Sequence, residues 1–225
     1  MLKQEMNDIL LSGKDSGWIM EPEAKRFFAL AGMDVPRFKW ARTLEDALSF
    51  ARGLGSPVAM KVVSPQIVHK SDAGGVILGI SDDPGITSAF NRMSKMKGFQ
   101  GVVVEEILKG IELIIGATID EQFGPVILLG IGGTATEIYQ DVGLAMAPLC
   151  DSDVDRMIGS IRGAAILEGF RGADGVNMEK LKTLVIRFSE LVMEAGDLIE
   201  SVDLNPVMCF ADRCVIADAR IMLRK

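Results

Sequence analysis

The sequence predicts a mixed α+β fold, α/β in the broad sense, built as two subdomains. Three observations carry this. Residues 177–196 repeat apolar side chains at three- and four-residue steps (Met178, Leu181, Leu184, Val185, Phe188, Leu191, Val192, Ala195), which marks an amphipathic helix. Residues 125–130 form a short, wholly apolar run, suited to a strand buried on both faces. Strand-like runs also follow one another in pairs, 57–63 with 75–80 and 101–107 with 111–119, so hairpins interrupt any strict β–α alternation.

The elements follow in order. Leu2, Met6, Ile9 and Leu10 give residues 1–12 one apolar helical face, and the run Ser12 to Gly17 ends it. A second helix spans Glu21 to Ala31, with Pro22 tolerated in its first turn and Gly32 as its stop. Val35 to Trp40 is extended. Thr43 caps a helix whose face is Leu44, Ala47, Leu48 and Ala51 and which ends at Gly53 or Gly55. Strands at 57–63 and 75–80 precede a helix near 84–96. Strands at 101–107, 111–119, 125–130 and 143–147 follow, then a helical stretch over 151–168 and the helix at 177–196. Two strands, 198–210 and 214–219, close the chain around a turn at Ala211-Asp212-Arg213. The strand at Val102 opens a new run of sheet, which places the division near residue 100, with subdomains 1–100 and 101–225.

Composition narrows the function. With 48% hydrophobic residues among 225, the chain affords a sizeable core. A net charge of −7 and the absence of a basic stripe argue against nucleic acid and anionic membranes as partners. Cys150, Cys209 and Cys214 lack metal-binding spacing and fit a reducing cytoplasm. The start, Met1 to Asp8, is too polar for a signal peptide, and the apolar runs fall short of a membrane span.

The chain's single histidine, His69, lies in Ser64-Pro65-Gln66-Ile67-Val68-His69-Lys70-Ser71-Asp72-Ala73-Gly74-Gly75, between the apolar runs Val58 to Lys61 and Val76 to Ile80. Strand, glycine-rich polar loop, strand is a place to hold phosphates, because glycine N–H groups approach anionic oxygens closely and a lysine adds a point charge. A histidine there can accept a phosphoryl group. Taken alone, a lone histidine is more often a surface polar residue, and Gly-Gly occurs in ordinary hairpins.

Near the C-terminus, alternation in Val202-Asp203-Leu204-Asn205-Pro206 puts Asp203 and Asn205 on one strand face. If the following turn has two or four loop residues, Asn205 lies opposite Asp218. Such oxygen donors suit Mg²⁺, which takes one or two protein carboxylates with phosphate and water. In the middle, Glu105 and Glu106 point to opposite faces, so one of them looks into a cleft, and Glu112 follows past the bend at Gly110.

Together these segments resemble the beta subunit of ADP-forming (NDP-forming) acyl-CoA synthetases, typified by the acetate–CoA ligases, an ATP-grasp module. The resemblance runs from about Glu21 to Leu223. It rests on Met60-Lys61-Val62-Val63-Ser64-Pro65 with His69-Lys70-Ser71 and Gly74-Gly75-Val76, and on Gln122-Phe123-Gly124-Pro125-Val126 with Gly130-Ile131-Gly132-Gly133, Glu137 and Asp141-Val142. Ala147-Pro148-Leu149, Gly169-Phe170-Arg171-Gly172 and Asp203-Leu204-Asn205-Pro206 complete it. It implies an ATP-grasp fold with the nucleotide between two subdomains, and a cytoplasmic ligase that catalyses acyl-CoA + ADP + phosphate ⇌ carboxylic acid + CoA + ATP. The resemblance further implies that this chain carries phosphoryl transfer between phosphohistidine and ADP or ATP, and that a CoA-binding alpha subunit supplies the rest of an alpha–beta hetero-oligomer.

By the same resemblance, Lys61 contacts the nucleotide phosphates, and the loop with Ser71, Gly74 and Gly75 closes over them. Glu106 and the backbone near Leu108 hold adenine, and Glu112 holds the ribose. Gly132, Gly133 and Glu137 face the partner's phosphorylated segment, Asp203, Asn205 and Asp218 place Mg²⁺, and His69 carries the phosphoryl group. The family carries an arginine shortly before Ala-Pro-Leu. Here Gly143-Leu144-Ala145-Met146 lacks it, so one charge is lost or relocated, with Arg171 as a candidate to compensate. Two rival readings are a non-catalytic nucleotide-sensing module and a different ATP-grasp carboxylate ligase, which would not need His69.

Overall fold

The structure is a computed structural model that describes residues 2–55, 57–133, 141–169 and 174–224. Its elements in chain order are α1 (Gln4–Ser12), β1 (Trp18–Ile19), α2 (Glu21–Leu30), β2 (Phe38–Ala41), α3 (Leu44–Leu54), β3 (Val58–Val63), β4 (Val76–Ile80), α4 (Asp83–Met93), β5 (Gly101–Glu106), β6 (Ile111–Asp120), β7 (Gly124–Ile131) and β8 (Val142–Met146). Then come α5 (Asp151–Ser160), a 3-10 helix (Arg162–Glu168), α6 (Met178–Ala195), a 3-10 turn (Gly196–Leu198), β9 (Ile199–Cys209), β10 (Cys214–Ile216) and β11 (Ala219–Leu223).

The chain forms two compact units, Pro36–Leu108 and Met1–Val35 with Lys109–Lys225. The sequence places one division near residue 100; instead β5 joins the smaller unit and the N-terminal segment joins the larger. Pairing explains both. β5 bonds β3 along Val58↔Glu106 to Val63↔Gly101 and bonds β2 on its other side. In the other unit β1 pairs with the last strand, Trp18↔Met222 and Ile19↔Ile221. Neither long-range pairing has a local sequence signal.

The smaller unit is a four-stranded antiparallel sheet in the order β2-β5-β3-β4. Val58, Met60 and Val62 of β3 and Val102 and Val104 of β5 pack with Ala47 and Ala51 of α3 and Ile86, Ala89, Phe90 and Met93 of α4. Both helices start on side-chain caps. The Thr43 hydroxyl accepts from Asp46 N–H, and the Asp82 carboxylate accepts from Gly85 N–H at 2.8 Å.

The larger unit is a seven-stranded sheet in the order β1-β11-β9-β6-β7-β8, with β10 beside β9. Leu113, Ile115 and Ala117 of β6, Ile127 and Leu129 of β7, and Val202 and Leu204 of β9 face a core filled by α1, α2, α5 and α6. The periodic face of α6 buries Leu181, Leu184, Val185, Phe188, Leu191, Val192 and Ala195, and the Asn177 side chain caps its start by accepting from Lys180 N–H. Truncating one such core leucine to alanine costs about 2–5 kcal/mol.

One expectation is refined and one changes. The helical stretch over 151–168 is α5 followed by a 3-10 helix. Ile161 is extended, and the Asp141 carboxylate takes the N–H groups of Arg162 and Gly163, both at 2.8 Å, so a new helical start is capped there. The closing strand at 214–219 is β10 and β11 with a break at Ala217-Asp218. Pro206 lies opposite this break and has no N–H to continue the ladder.

Candidate functional site

In the smaller unit the chemistry lies on the sheet face opposite α3 and α4. Met60 and Val62 point to the helices, so alternation turns Lys61 to the other face. Lys61 is opposite Val103, and Glu105, two residues on, is its diagonal neighbour. The Lys61 ammonium meets the Glu105 carboxylate at 2.8 Å, with both side chains buried. Glu106 falls on the opposite face. Both its oxygens accept from Arg37, one from the backbone N–H at 2.8 Å and one from Nε at 3.1 Å. The carboxylate expected to hold adenine is thus occupied by Arg37, and Glu105, which the sequence left as the alternative, stands beside the lysine. Leu108 lies half-buried just past β5.

The loop after β3 is closed on itself. Ala73 N–H donates to His69 O (3.3 Å), Gly74 N–H to Ser71 O (3.0 Å) and Gly75 N–H to Lys70 O (2.7 Å), while Gly75 O accepts from Val62 N–H at 2.8 Å. The N–H groups of Gly74 and Gly75, expected to meet phosphate, bind the loop's own carbonyls. These glycines serve shape: Gly74 sits at φ +66, and a side chain on Gly75 would meet Val62 Cγ1 at 2.5 Å. His69 and Ser71 are exposed on the loop.

In the larger unit the corresponding face is again the one turned from the helices. Asp203 lies between the core residues Val202 and Leu204 and points away from them. It is opposite Arg220 of β11, and the two bond at 3.1 Å. After Leu204 the core phase changes, since Val207 and Cys209 are the next core residues. The β6 register explains it: Leu113↔Val207 is followed by Ile115↔Leu204, so Asn205 and Pro206 oppose Ile114 alone in a bulge. The turn between Cys209 and Cys214 has four residues, which meets the condition set by the sequence. Ile216↔Val207 and Ala219↔Leu204 then leave Asn205 across from Asp218. Asn205 is exposed and Asp218 half-buried.

Glu112 is opposite Met208 and points away from the core that holds Leu113. Gly132 packs on it: Gly132 N–H donates to Glu112 O at 2.6 Å, and a Cβ on Gly132 would lie 2.8 Å from that of Glu112. A Cβ on Gly133 would lie 3.9 Å from Glu112 Oε2. The structure therefore brings Glu112, Gly132 and Gly133 together, although they are assigned separately from the sequence. Glu137 and Arg171 lie outside the described residues. Asp141 caps the 3-10 helix, and the N–H groups of Arg162 and Gly163 hold its carboxyl below the usual carboxylate range. In β8 Ala145 packs against the core, while Leu144 and Met146 are exposed on the face that carries Asp203. Sequence reasoning missed Arg220; its position opposite Asp203 needed the β9–β11 register.

Among the described residues no group of three or more His, Cys, Asp or Glu side chains gathers as a metal cluster. Asn205 and Asp218, facing across one hairpin with Asp203 two residues away, are an oxygen set that fits a partly hydrated Mg²⁺ completed by phosphate oxygens.

A family model of the ATP-grasp domain matches residues 11–223. The beta subunit of the ADP-forming acetate–CoA ligase I of Pyrococcus furiosus is 40% identical over 213 residues, 91% of each chain. A protein of Pyrococcus horikoshii Ot3 with a known crystal structure superposes with a TM-score of 0.92 at 34% identity, covering 99% of both chains. An acetyl-coenzyme A synthetase 1 of Ca. Korarchaeum cryptofilum was solved with coenzyme A and Mg-AMPPCP, its phosphohistidine segment pointing towards the nucleotide binding site. It matches with a TM-score of 0.85 at 37% identity, over 97% of this chain and 100% of that one. By fold, extent and sequence, the chain belongs to the ATP-grasp family and, within it, to the beta subunits of ADP-forming acetate–CoA ligases.

Proposed function

We propose that this chain is the nucleotide half of an ADP-forming acyl-CoA synthetase and moves a phosphoryl group between His69 and ADP. The observation that carries this reading is the loop geometry. The chain's only histidine sits exposed on a self-bonded loop directly after the strand that carries Lys61. In the direction of ATP synthesis, a terminal oxygen of ADP attacks the phosphorus of phosphohistidine. The P–O bond forms as the N–P bond breaks, and the imidazole leaves neutral because one ring nitrogen takes a proton from solvent, to which His69 is exposed. Little covalent work falls to the protein; positioning and charge neutralisation carry most of the rate.

Lys61 supplies the fixed cation for the nucleotide phosphates, and Glu105 holds its ammonium in place on β3. Glu112, exposed at the start of β6, has the reach and charge to accept hydrogen bonds from ribose hydroxyls. Gly132 and Gly133 beside it present backbone without side chains to an incoming phosphorylated segment. Asn205 and Asp218, with Asp203 oriented by Arg220, would hold Mg²⁺, whose charge offsets that of the phosphates.

The partner is a CoA-binding alpha subunit carrying the first phosphorylated histidine, and the pair works as a hetero-oligomer. A cytoplasmic setting suits the three free cysteines; among the described residues no helix is long and apolar enough to cross a membrane. The test is reconstitution. Mixed with a matched alpha subunit, the chain should make ATP from acyl-CoA, ADP and phosphate, and neither chain should do so alone. Full turnover by this chain alone would contradict the division of labour.

A further inference from the structure

A side-chain bond ties the distal end of the His69 loop to a helix. Arg92 lies in the last turn of α4, next to the core residue Met93 and three residues after Ala89, so its backbone is fixed against the sheet. Its guanidinium Nη2 donates to the carbonyl of Gly74 at 2.7 Å. Gly74 is shaped for this contact: its φ is +66, and a Cβ there would meet the same Nη2 at 2.7 Å. The loop's entry is held at a separate point, where Ser64 Oγ donates to Lys97 O at 2.7 Å and accepts from Gln66 N–H at 3.1 Å. His69 lies between these two ties. The bonds from Ala73, Gly74 and Gly75 back to His69, Ser71 and Lys70 pass the constraint at Gly74 to the histidine.

We infer that Arg92 is a positioning residue for phosphoryl transfer: by holding the Gly74 carbonyl it sets where His69 presents its imidazole. This rests on the reading of His69 as the phosphoryl carrier. In this role Arg92 does not touch the nucleotide. Its removal should therefore lower the rate of transfer and leave nucleotide affinity alone, because a loss of alignment near 1 Å is enough to cost a large factor in rate.

Two measurements on the full chain decide it. The first is the rate of labelling by Mg²⁺ and γ-labelled ATP, over a range of ATP concentrations, for wild type, Arg92→Ala, Arg92→Lys and His69→Ala, with the alpha subunit present. Arg92→Ala should lose about ten-fold or more in maximal rate, with half-saturating ATP within about two-fold of wild type, and Arg92→Lys should recover part of the loss. The second is amide hydrogen exchange of residues 73–75, which should speed up in Arg92→Ala. A wild-type rate in Arg92→Ala, or a rise in half-saturating ATP with no loss of maximal rate, would overturn the proposal. If His69→Ala labels like wild type, the carrier reading fails. Exchange then still judges the tie: faster exchange in Arg92→Ala upholds it, and unchanged exchange rejects it.

Discussion

Glu105→Ala removes the carboxylate that meets the Lys61 ammonium at 2.8 Å. The two side chains are only 5% and 9% exposed, so solvent and salt screen the pair little. Unit charges at that separation attract by about 6 kcal/mol at an effective dielectric near 20. Most of this offsets the desolvation of two ions, so the pair adds little net stability over apolar residues of the same volume. Removing one partner is different, because the other ion stays in a site built for two; the cost is about 3–5 kcal/mol. Urea unfolding followed by circular dichroism should show that loss in Glu105→Ala and Lys61→Met, as a lower midpoint at unchanged slope. The double variant Lys61→Met with Glu105→Leu should regain most of it, to within about 1–2 kcal/mol of wild type. That repaired protein should still bind ADP weakly, because the cation is gone. A loss below about 1 kcal/mol in the single variants, the worth of an exposed pair, would show that Lys61 and Glu105 do not form a desolvated pair.

Three further outcomes are expected. Gly143→Ala should destabilise by about 1–3 kcal/mol, because the new methyl would lie 2.5 Å from the carbonyl oxygen of Met157 in α5; urea unfolding reads it, and wild-type stability would deny that contact. Asn205→Ala and Asp218→Ala should each slow Mg²⁺-dependent transfer by about ten-fold or more while costing about 1 kcal/mol or less in stability; parallel losses in rate and stability would make them structural. Asp141 has its folded pKa lowered from the ordinary 3.8 by bonds from Arg162 and Gly163, so it stabilises the fold above that value and the contribution disappears as pH falls through its lower folded one. Stability measured from pH 7 to pH 3 should therefore fall less steeply at the acid end in Asp141→Asn than in wild type, and identical slopes would contradict the capping role.

The local parts of this fold are readable from sequence because their causes are local. The three- and four-residue steps of 178–195 and the caps Thr43 and Asn177 fix helices whatever surrounds them. The hairpin that sets Asn205 across from Asp218 is readable to within its turn length. What fails is non-local. The order β2-β5-β3-β4 depends on which strands meet across tens of residues, and the boundary near residue 100 fails for that reason. Which of Glu105 and Glu106 stands diagonal to Lys61 is likewise not legible locally, because only the β3–β5 register shows it. The loop glycines show a further limit: composition marks Gly74 and Gly75 as special, but only the hydrogen bonds reveal that their N–H groups serve the loop itself.

If His69 carries the phosphoryl group, incubating the purified chain and its His69→Ala variant with Mg²⁺ and γ-labelled ATP, without and with a matched alpha subunit, should leave an acid-labile, alkali-stable label on the wild-type chain that the variant lacks. Equal labelling of both proteins, or no label on the wild-type chain even with the alpha subunit present, would contradict that role.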